Sequence, residues 1–238
     1  MLRLIHATDR PVSWTMSGSS PNDRVEPLDL DMTKKALRIT STSDELLVAS
    51  WIAAARSYFE EQTGRQAVDA VWEWGLDCPP CVRTLQVPRP PLVEVESITY
   101  DDANGDEQTL DPSAYRVLPS ILPANAGSPD DPVAIDPHCA PGRIEMISGI
   151  WPATNGRIGS LRIRRRCGYG ASADKIPQLL QAALYLLVGH FYAHREEVTD
   201  EPLASLPMGA AMIIQAFKDT AITTQRLERH DLGAPFRY

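Results

Sequence analysis

Asp44-Glu-Leu-Leu-Val-Ala-Ser-Trp-Ile-Ala-Ala-Ala-Arg-Ser-Tyr-Phe-Glu-Glu-Gln-Thr-Gly64, followed closely by Val71-Trp-Glu-Trp-Gly75, is the stretch on which the fold turns. In its first part Leu47, Trp51, Ala54 and Tyr58 recur at spacings of three and four, flanked by Val48, Ile52, Ala55 and Phe59. That is the period of an amphipathic helix with a wide apolar stripe. Ser43, ahead of Asp44 and Glu45, reads as an N-cap with acidic residues in the first turn, and Gly64 reads as the C-cap. Beyond Gly64 the period falls to two: Val71, Glu73 and Gly75 alternate with Trp72 and Trp74. Strict alternation is the mark of a half-buried strand.

Working outward, Asp29 to Arg38 is a short helical stretch with Met32, Ala36 and Leu37 on one side, and Ser41-Thr-Ser43 breaks it. Residues 1–28 carry little periodicity, and Ser17 to Asp23 reads as loop. In the other direction Thr84 to Val87 is a short strand closed by Pro88-Arg-Pro-Pro91. Val93, Val95, Ser97 and Thr99 then alternate with Glu94, Glu96, Ile98 and Tyr100. Asn104-Gly105 is a hairpin-turn signal, with Glu107 to Leu110 returning. Further short strands fall at Tyr115–Val117, Arg143–Ile147 and Leu161–Arg166. Residues 119–141 hold six prolines in 23 positions and read as a long irregular loop. After Gly168-Tyr-Gly170, Pro177 opens a helix as its first residue; Leu180, Leu184, Leu187 and Phe191 form its stripe, and it ends near Arg195. A last helix spans about 207–220, and Arg226 to Tyr238 has no core-forming pattern.

Helices, then strands, then helices argue for α+β and against a parallel βαβ sheet. The expected fold is a mostly α-helical bundle with an inserted small antiparallel β-sheet or hairpin region and a long Pro-rich loop. Residues 1–27 form an N-terminal extension, 28–220 the main domain and 221–238 a C-terminal tail, with helices at about 29–38, 43–64, 177–195 and 207–220 and the strands between about 67 and 167.

With 238 residues and 26.3 kDa, the chain is long enough to bury about 70% of its unfolded surface. A net charge of −8 and a pI near 5.1 argue against a broadly basic nucleic-acid-binding surface. No apolar run reaches the length of a membrane span and the N-terminus lacks a signal-peptide h-region, so a soluble protein that folds where it is made is expected. Cys78, Cys81, Cys139 and Cys167 then read as thiols and not as a disulfide framework.

Several motifs invite chemistry. Cys78-Pro-Pro-Cys81 has dithiol spacing, but a redox centre needs a strand-to-helix junction, and Val82 to Val87 is strand-like. The same pair with His138 and Cys139 has the residue types of a zinc site without finger spacing. His190 and His194 lie four apart on one helical face, but Phe191 stands where a zinc protease needs Glu. Asp102-Ala-Asn-Gly-Asp106 resembles the start of a calcium loop, with its glycine too early; the hairpin turn explains it better. Arg162, Arg164 and Arg166 share one strand face with Arg165 behind. Three cations on a pleated face suit phosphates or the carboxylates of a partner or neighbouring subunit, with a partner protein preferred over nucleic acid in so acidic a chain; a solvated or salt-bridged sheet face is the alternative. No P-loop, dinucleotide fingerprint, G-x-S-x-G or H-E-x-x-H is present, and no nucleophile, base and orienting group assemble. The expectation is no enzyme, no cofactor and no metal.

The order of segments resembles a known family. Leu30-Asp-Met-Thr-Lys-Lys-Ala-Leu-Arg-Ile39 looks like its opening helix, Asp44 to Arg65 its second, and Val87-Pro-Arg-Pro-Pro-Leu-Val-Glu-Val-Glu-Ser-Ile-Thr-Tyr100 its signature strand. Leu110 to Val117 is similar to the strand after its hairpin, Ile176 to Glu196 to its third helix, and Leu206-Pro-Met-Gly209 to the start of its fourth. This is the head–tail connector (adaptor) family of tailed double-stranded DNA bacteriophages, and the resemblance covers about residues 28–220.

The resemblance implies a structural virion protein of the neck, assembled in the host cytoplasm. It implies a homo-oligomeric ring, typically dodecameric, below the portal, which extends the channel for genomic double-stranded DNA and offers a platform to the next neck or tail component: a head-closure, stopper or tail-terminator protein. In that setting Arg226, Arg229, Phe236, Arg237 and Tyr238 are candidate portal anchors, and Arg162, Arg164 and Arg166 candidate subunit or partner contacts. The alternatives are another neck protein (head-closure or tail-completion), a dithiol oxidoreductase using Cys78 and Cys81, and a metal-binding module.

Overall fold

A computed structural model describes residues 7–14, 25–41, 44–118, 120, 140–194 and 207–218. In chain order they form β1 (Ala7–Trp14), α1 (Leu30–Ala36), α2 (Glu45–Thr63), β2 (Ala70–Leu76), β3 (Thr84–Gln86), β4 (Leu92–Asp101), β5 (Glu107–Thr109), β6 (Tyr115–Leu118), β7 (Arg143–Met146), β8 (Leu161–Cys167), α3 (Gln178–Ala193) and α4 (Met208–Phe217).

The helix boundaries have local causes. Asp29 caps α1 by accepting a hydrogen bond from the Met32 amide at 2.8 Å. Gly64 ends α2 with φ 69°, and its N–H bonds to the Glu60 carbonyl at 3.0 Å. Glycine takes that left-handed conformation without steric cost. Ser43 lies outside the described residues. Pro177 sits at the cap of α3, one position before the first helical residue.

The expected mostly helical bundle is corrected. Among the described residues two antiparallel sheets accompany four helices, one sheet ordered β1-β2-β8-β4-β5 and the other β3-β7-β6, which makes a mixed α/β fold. The reason is non-local pairing. Only β4 and β5 are joined by a short turn; the other paired strands are separated by a helix or a long stretch of chain, and β2 lies against β8, with Ala70 opposite Cys167 and Leu76 opposite Leu161. A local reading sees seven short segments, β2 to β8, and cannot see that they close into two sheets. β1, in a stretch without readable periodicity, adds an edge strand against β2.

The hydrophobic residues divide into two cores. One lies among the helices and includes Val48, Ile52, Ala55 and Phe59 of α2, Leu180, Leu184 and Leu187 of α3, and Ile214 and Phe217 of α4. The other lies between the sheets and joins Trp72, Leu92, Ile98, Leu161 and Ile163 of the larger sheet to Ile144 and Met146 of the smaller. Alternation assigns the faces of β8: Leu161, Ile163, Arg165 and Cys167 point inward and Arg162, Arg164 and Arg166 outward.

A buried polar junction ties the cores together. Glu60, on the last turn of α2, accepts hydrogen bonds from Arg56 Nη1 at 3.0 Å, Gln66 Nε2 at 2.8 Å and the Ala67 amide at 3.0 Å. Gln66 in turn accepts from Trp72 Nε1 at 3.0 Å, and its own amide reaches the Pro90 carbonyl at 3.0 Å. The Arg89 guanidinium lies 3.8 Å over the Trp72 ring. Close by, Gly168 has φ 137°, and a Cβ there would come within 2.5 Å of the Asp69 backbone. That approach lets β8 leave the sheet directly beside the start of β2.

Two stability predictions follow from the junction. Glu60→Ala removes, in a buried site, the acceptor of the Ala67 amide, one of the two acceptors of the Gln66 side chain (the other is the Val68 carbonyl at 3.0 Å) and one of the two carboxylates on Arg56. It should cost about 3–5 kcal/mol in chemical denaturation, the range for breaking a buried ionic network. Burial, opposed by the charge of Arg56, holds the Glu60 carboxyl above the ordinary carboxylate range. A raised acid binds its proton more readily in the folded chain. Its contribution is therefore complete below the unfolded-state value and fades as pH rises through the folded one. Glu60→Gln should remove that acid-side component, and a stability profile against pH identical to the parent's would contradict it.

Candidate functional site

Three surfaces were singled out by sequence or exposed by the fold: the outward face of the larger sheet, the loop-borne motifs, and the outer faces of the helices.

The sheet face carries Arg162, Arg164 and Arg166, and the structure brings all three to carboxylates of this chain. Arg162 Nη2 lies 2.7 Å from Asp101 Oδ1 and 2.7 Å from Glu107 Oε2. Arg164 Nε lies 2.7 Å from Glu96 Oε2, and Arg166 Nη2 lies 2.8 Å from Glu94 Oε1. The pairing depends on irregularities in β4. Its register against β8 shifts between Leu92 and Glu94 and again between Val95 and Ser97. Each shift gives β4 one residue more than its partner, so Glu94 and Glu96 both come out on the arginine side while Ile98 turns into the core. On the far side of β8, Glu73 of β2 stands opposite Arg164 and accepts from Arg10 Nε of β1 at 3.0 Å. The result is rows of alternating charge across the sheet. The hydrogen bond to Asp101 is the largest influence on Arg162 and outweighs the cost of burial, pushing its guanidinium further up. Arg165 takes the opposite face, fully buried, with its guanidinium 5.7 Å from the Trp74 ring.

The loop-borne motifs do not converge. Cys78 and Cys81 sit in the bend between β2 and β3, half-buried and exposed, and are not joined to each other. His138 and Cys139 lie outside the described residues. His190 and His194 approach with ring centroids 4.2 Å apart near the end of α3. Burial, then the neighbouring His194, lowers the pKa of His190. Among the described residues no three His, Cys, Asp or Glu gather as metal ligands. Asp102 Oδ1 accepts from the amides of Asn104 at 2.8 Å, Gly105 at 3.1 Å and Asp106 at 3.1 Å, so its oxygen organises the hairpin turn. The turn's amides pull its carboxyl below the ordinary range, that of Asp106 most. Arg226, Arg229, Phe236, Arg237 and Tyr238 lie outside the described residues. The chain leads toward them from the end of α4, where the buried Arg65 donates from Nε to the Phe217 carbonyl and from Nη1 to the Tyr169 hydroxyl at 3.3 Å. A cation at a helix C-terminus is favoured by the helix dipole.

The helical faces were missed by sequence reasoning. Leu179 and Leu186 of α3 and Met208 and Met212 of α4 are exposed, Met208 at 79% and Met212 at 68%. Neither helix contains an Asp, Glu, Lys or Arg. The signal was there: α3 and α4 are apolar nearly all round, which on a helix means burial on more than one side.

Part of this architecture recurs in solved structures. A chain in the neck of an empty gene transfer agent (GTA) particle, computed with C6 symmetry, superposes with a TM-score of 0.66 at 20% identity, over 89% of this chain and 95% of that one. A chain of the virion of a native GTA particle gives 0.61 at 19% identity, over 89% and 95%. One in the neck of a native GTA particle, computed with C12 symmetry, gives 0.54 at 21% identity, over 82% and 93%. No protein-family model matches the sequence, and no curated protein does. The chain thus has the fold of chains found in phage-like neck and virion particles.

The sheet-face ion pairs are half exposed, which limits what they contribute. Arg164→Ala should lower stability by less than about 1 kcal/mol. Its coupling to Glu96, read from a double-mutant cycle, should shrink further between low and high salt.

Proposed function

We propose that this chain is a structural subunit of the neck of a tailed phage-like particle. It is an adaptor that forms a ring, of dodecameric order, below the portal, extends the DNA channel, and presents a platform to the next neck or tail protein. The observation that carries this reading is the shared fold, which spans nearly the whole of both chains and belongs to proteins found in symmetric necks. The resemblance of the residue 28–220 segments to head–tail connectors supports it independently. The net charge of −8 fits a subunit beside a DNA channel, because phosphate contacts would retard the passing duplex. The role is non-enzymatic. Cys78 and Cys81 lie in a bend between two strands, away from the strand-to-helix junction that dithiol chemistry uses.

Within this reading, residues 221–238 order on the portal, with Phe236 and Tyr238 as aromatic anchors and Arg226, Arg229 and Arg237 meeting acidic groups. Residues 119–141 serve a neighbouring subunit or the next tail component. The two sheets favour a second reading, a head-closure or tail-completion protein, since such neck proteins are β-rich. Direct contact with the portal separates the two.

Cross-linking mass spectrometry on purified particles should join this chain to the portal protein, and particles lacking it should hold DNA-filled heads without tails. A chain absent from particles, or linked only to tail proteins, would refute the adaptor assignment. Deleting residues 221–238 should weaken portal binding at least tenfold, about 1.4 kcal/mol, with an unchanged melting temperature. Unaltered portal affinity would remove the tail from the interface.

A further inference from the structure

The helical layer has two outer faces, and they point in opposite directions. α2 turns Val48, Ile52, Ala55 and Phe59 into the core it shares with α3 and α4. Its other side therefore looks away from those helices and carries Leu46, Ala49, Ser50, Ala54 and Ser57. α3 and α4 turn Leu180, Leu184, Leu187 and Ile214 toward α2, and their far sides carry Leu179, Leu186, Met208 and Met212. The seam between them is close: a Cβ on Gly209 would lie 3.3 Å from Leu186 Cδ1.

Both faces lack charge, in a chain with 23% charged residues. Between Leu46 and Ser57 the single charged residue is Arg56, and it is buried. The same chain lines its exposed sheet face with four arginines and five carboxylates. An uncharged helical surface is thus a local property and not a trait of the composition. The two faces also differ in shape. One is low along Ala49, Ser50, Ala54 and Ser57, with Leu46 standing at its N-terminal end; the other is raised, built of Leu and Met, whose flexible side chains fill irregular gaps. At their edges stand opposite charges, Glu61 beside the α2 face and Lys218 at the end of α4, both exposed and neither in an ion pair among the described residues.

We infer that the Leu179, Leu186, Met208 and Met212 face of one copy docks on the Ala49, Ser50, Ala54 and Ser57 face of α2 in the next copy, with Lys218 and Glu61 meeting at the rim. This rests on the ring reading above and deepens it by naming the faces that meet. The occupant is a second copy because one chain carries both members of a matched pair: uncharged against uncharged, raised against low, cation against anion. Two different patches on opposite sides make a heterologous contact, which repeats from copy to copy and closes when the rotation allows. An isologous dimer would instead match each patch with itself, Met against Met and Lys218 against Lys218.

The test mixes two full-length variants, each altered on one face only. Met212→Glu buries a carboxylate at the raised face, and Ala54→Glu does so at the low face. Both positions are exposed in the single chain, so each variant should keep the parent's circular dichroism and melting temperature. Sedimentation of the parent over micromolar to near-millimolar concentration should show association beyond a dimer. Each variant alone should fall to the monomer, whereas an equimolar mixture should yield the mass of two chains and stop there, because each partner retains one intact face. A monomeric parent, a variant that still assembles, or a mixture that stays monomeric overturns the inference. So does loss of assembly in Met212→Glu alone, which would place another segment or another protein on the raised face. None of these outcomes touches the neck reading, which is decided by the presence of the chain in particles and its links to the portal.

Discussion

The Glu60 carboxylate is the point on which the remaining architecture hangs. It collects three donors, one from its own helix and two from the segment that leaves it, so the turn after α2 has a fixed course into β2. Gln66 passes the constraint on to Trp72, and Trp72 is held from above by Arg89. Without that relay the helical core and the intersheet core would be two hydrophobic clusters on a flexible joint. With it, the direction of α2 relative to the larger sheet is set by hydrogen bonds, which are directional where hydrophobic contact is not. Burying a carboxylate there is expensive, and the donors on both oxygens offset only part of the expense, since burial still holds the carboxyl above its ordinary range.

The sheet surface and the helix surface solve opposite problems. Along β8 three arginines emerge side by side, an arrangement that would repel itself if left alone. Two irregularities in β4 bring Glu94 and Glu96 to the same side, and Asp101 and Glu107 complete the row. The face is therefore highly charged yet close to neutral, and it makes little demand for an external counter-charge. Around α3 and α4 the reverse holds: no charge is present and bulky apolar side chains remain in the open. A protein that keeps one exposed surface internally balanced and leaves another apolar has separated the part that stays wet from the part that does not.

Much of the secondary structure could be read from residues alone. The change of period at Gly64, the Asn104-Gly105 hairpin and the strands around 71–75, 84–87, 115–117, 143–147 and 161–166 are all where alternation and turn chemistry put them. The balance of the fold could not be read. Periodicity reports what a segment does to its own flanks, not which distant segment lies beside it, so the sheets were weighed as an insertion in a helical bundle. β1 escaped because Pro11 and the polar residues around it blur the alternation of an edge strand. The candidate sites divide in the same way. The arginines of β8 were visible as a face, but their partners depend on bulges that no local pattern announces. The apolar side chains of α3 and α4 were visible too, and were counted as core because a sequence does not say how many sides of a helix its own chain will cover.

The pairing of β2 with β8 has a consequence for how the chain reaches this state. β2 is synthesised early, yet the strand that flanks it on its inner side arrives only after β3 to β7 and the long segment between them. The helical core likewise waits for α4. A nascent chain therefore carries Trp72, Trp74 and an open strand edge for much of its time on the ribosome, and its high contact order makes closure slow once the last strand emerges. The charge of Glu73, the one ionised side chain of β2, then does a second service: it helps keep the waiting strand soluble and disfavours pairing with another unfinished copy.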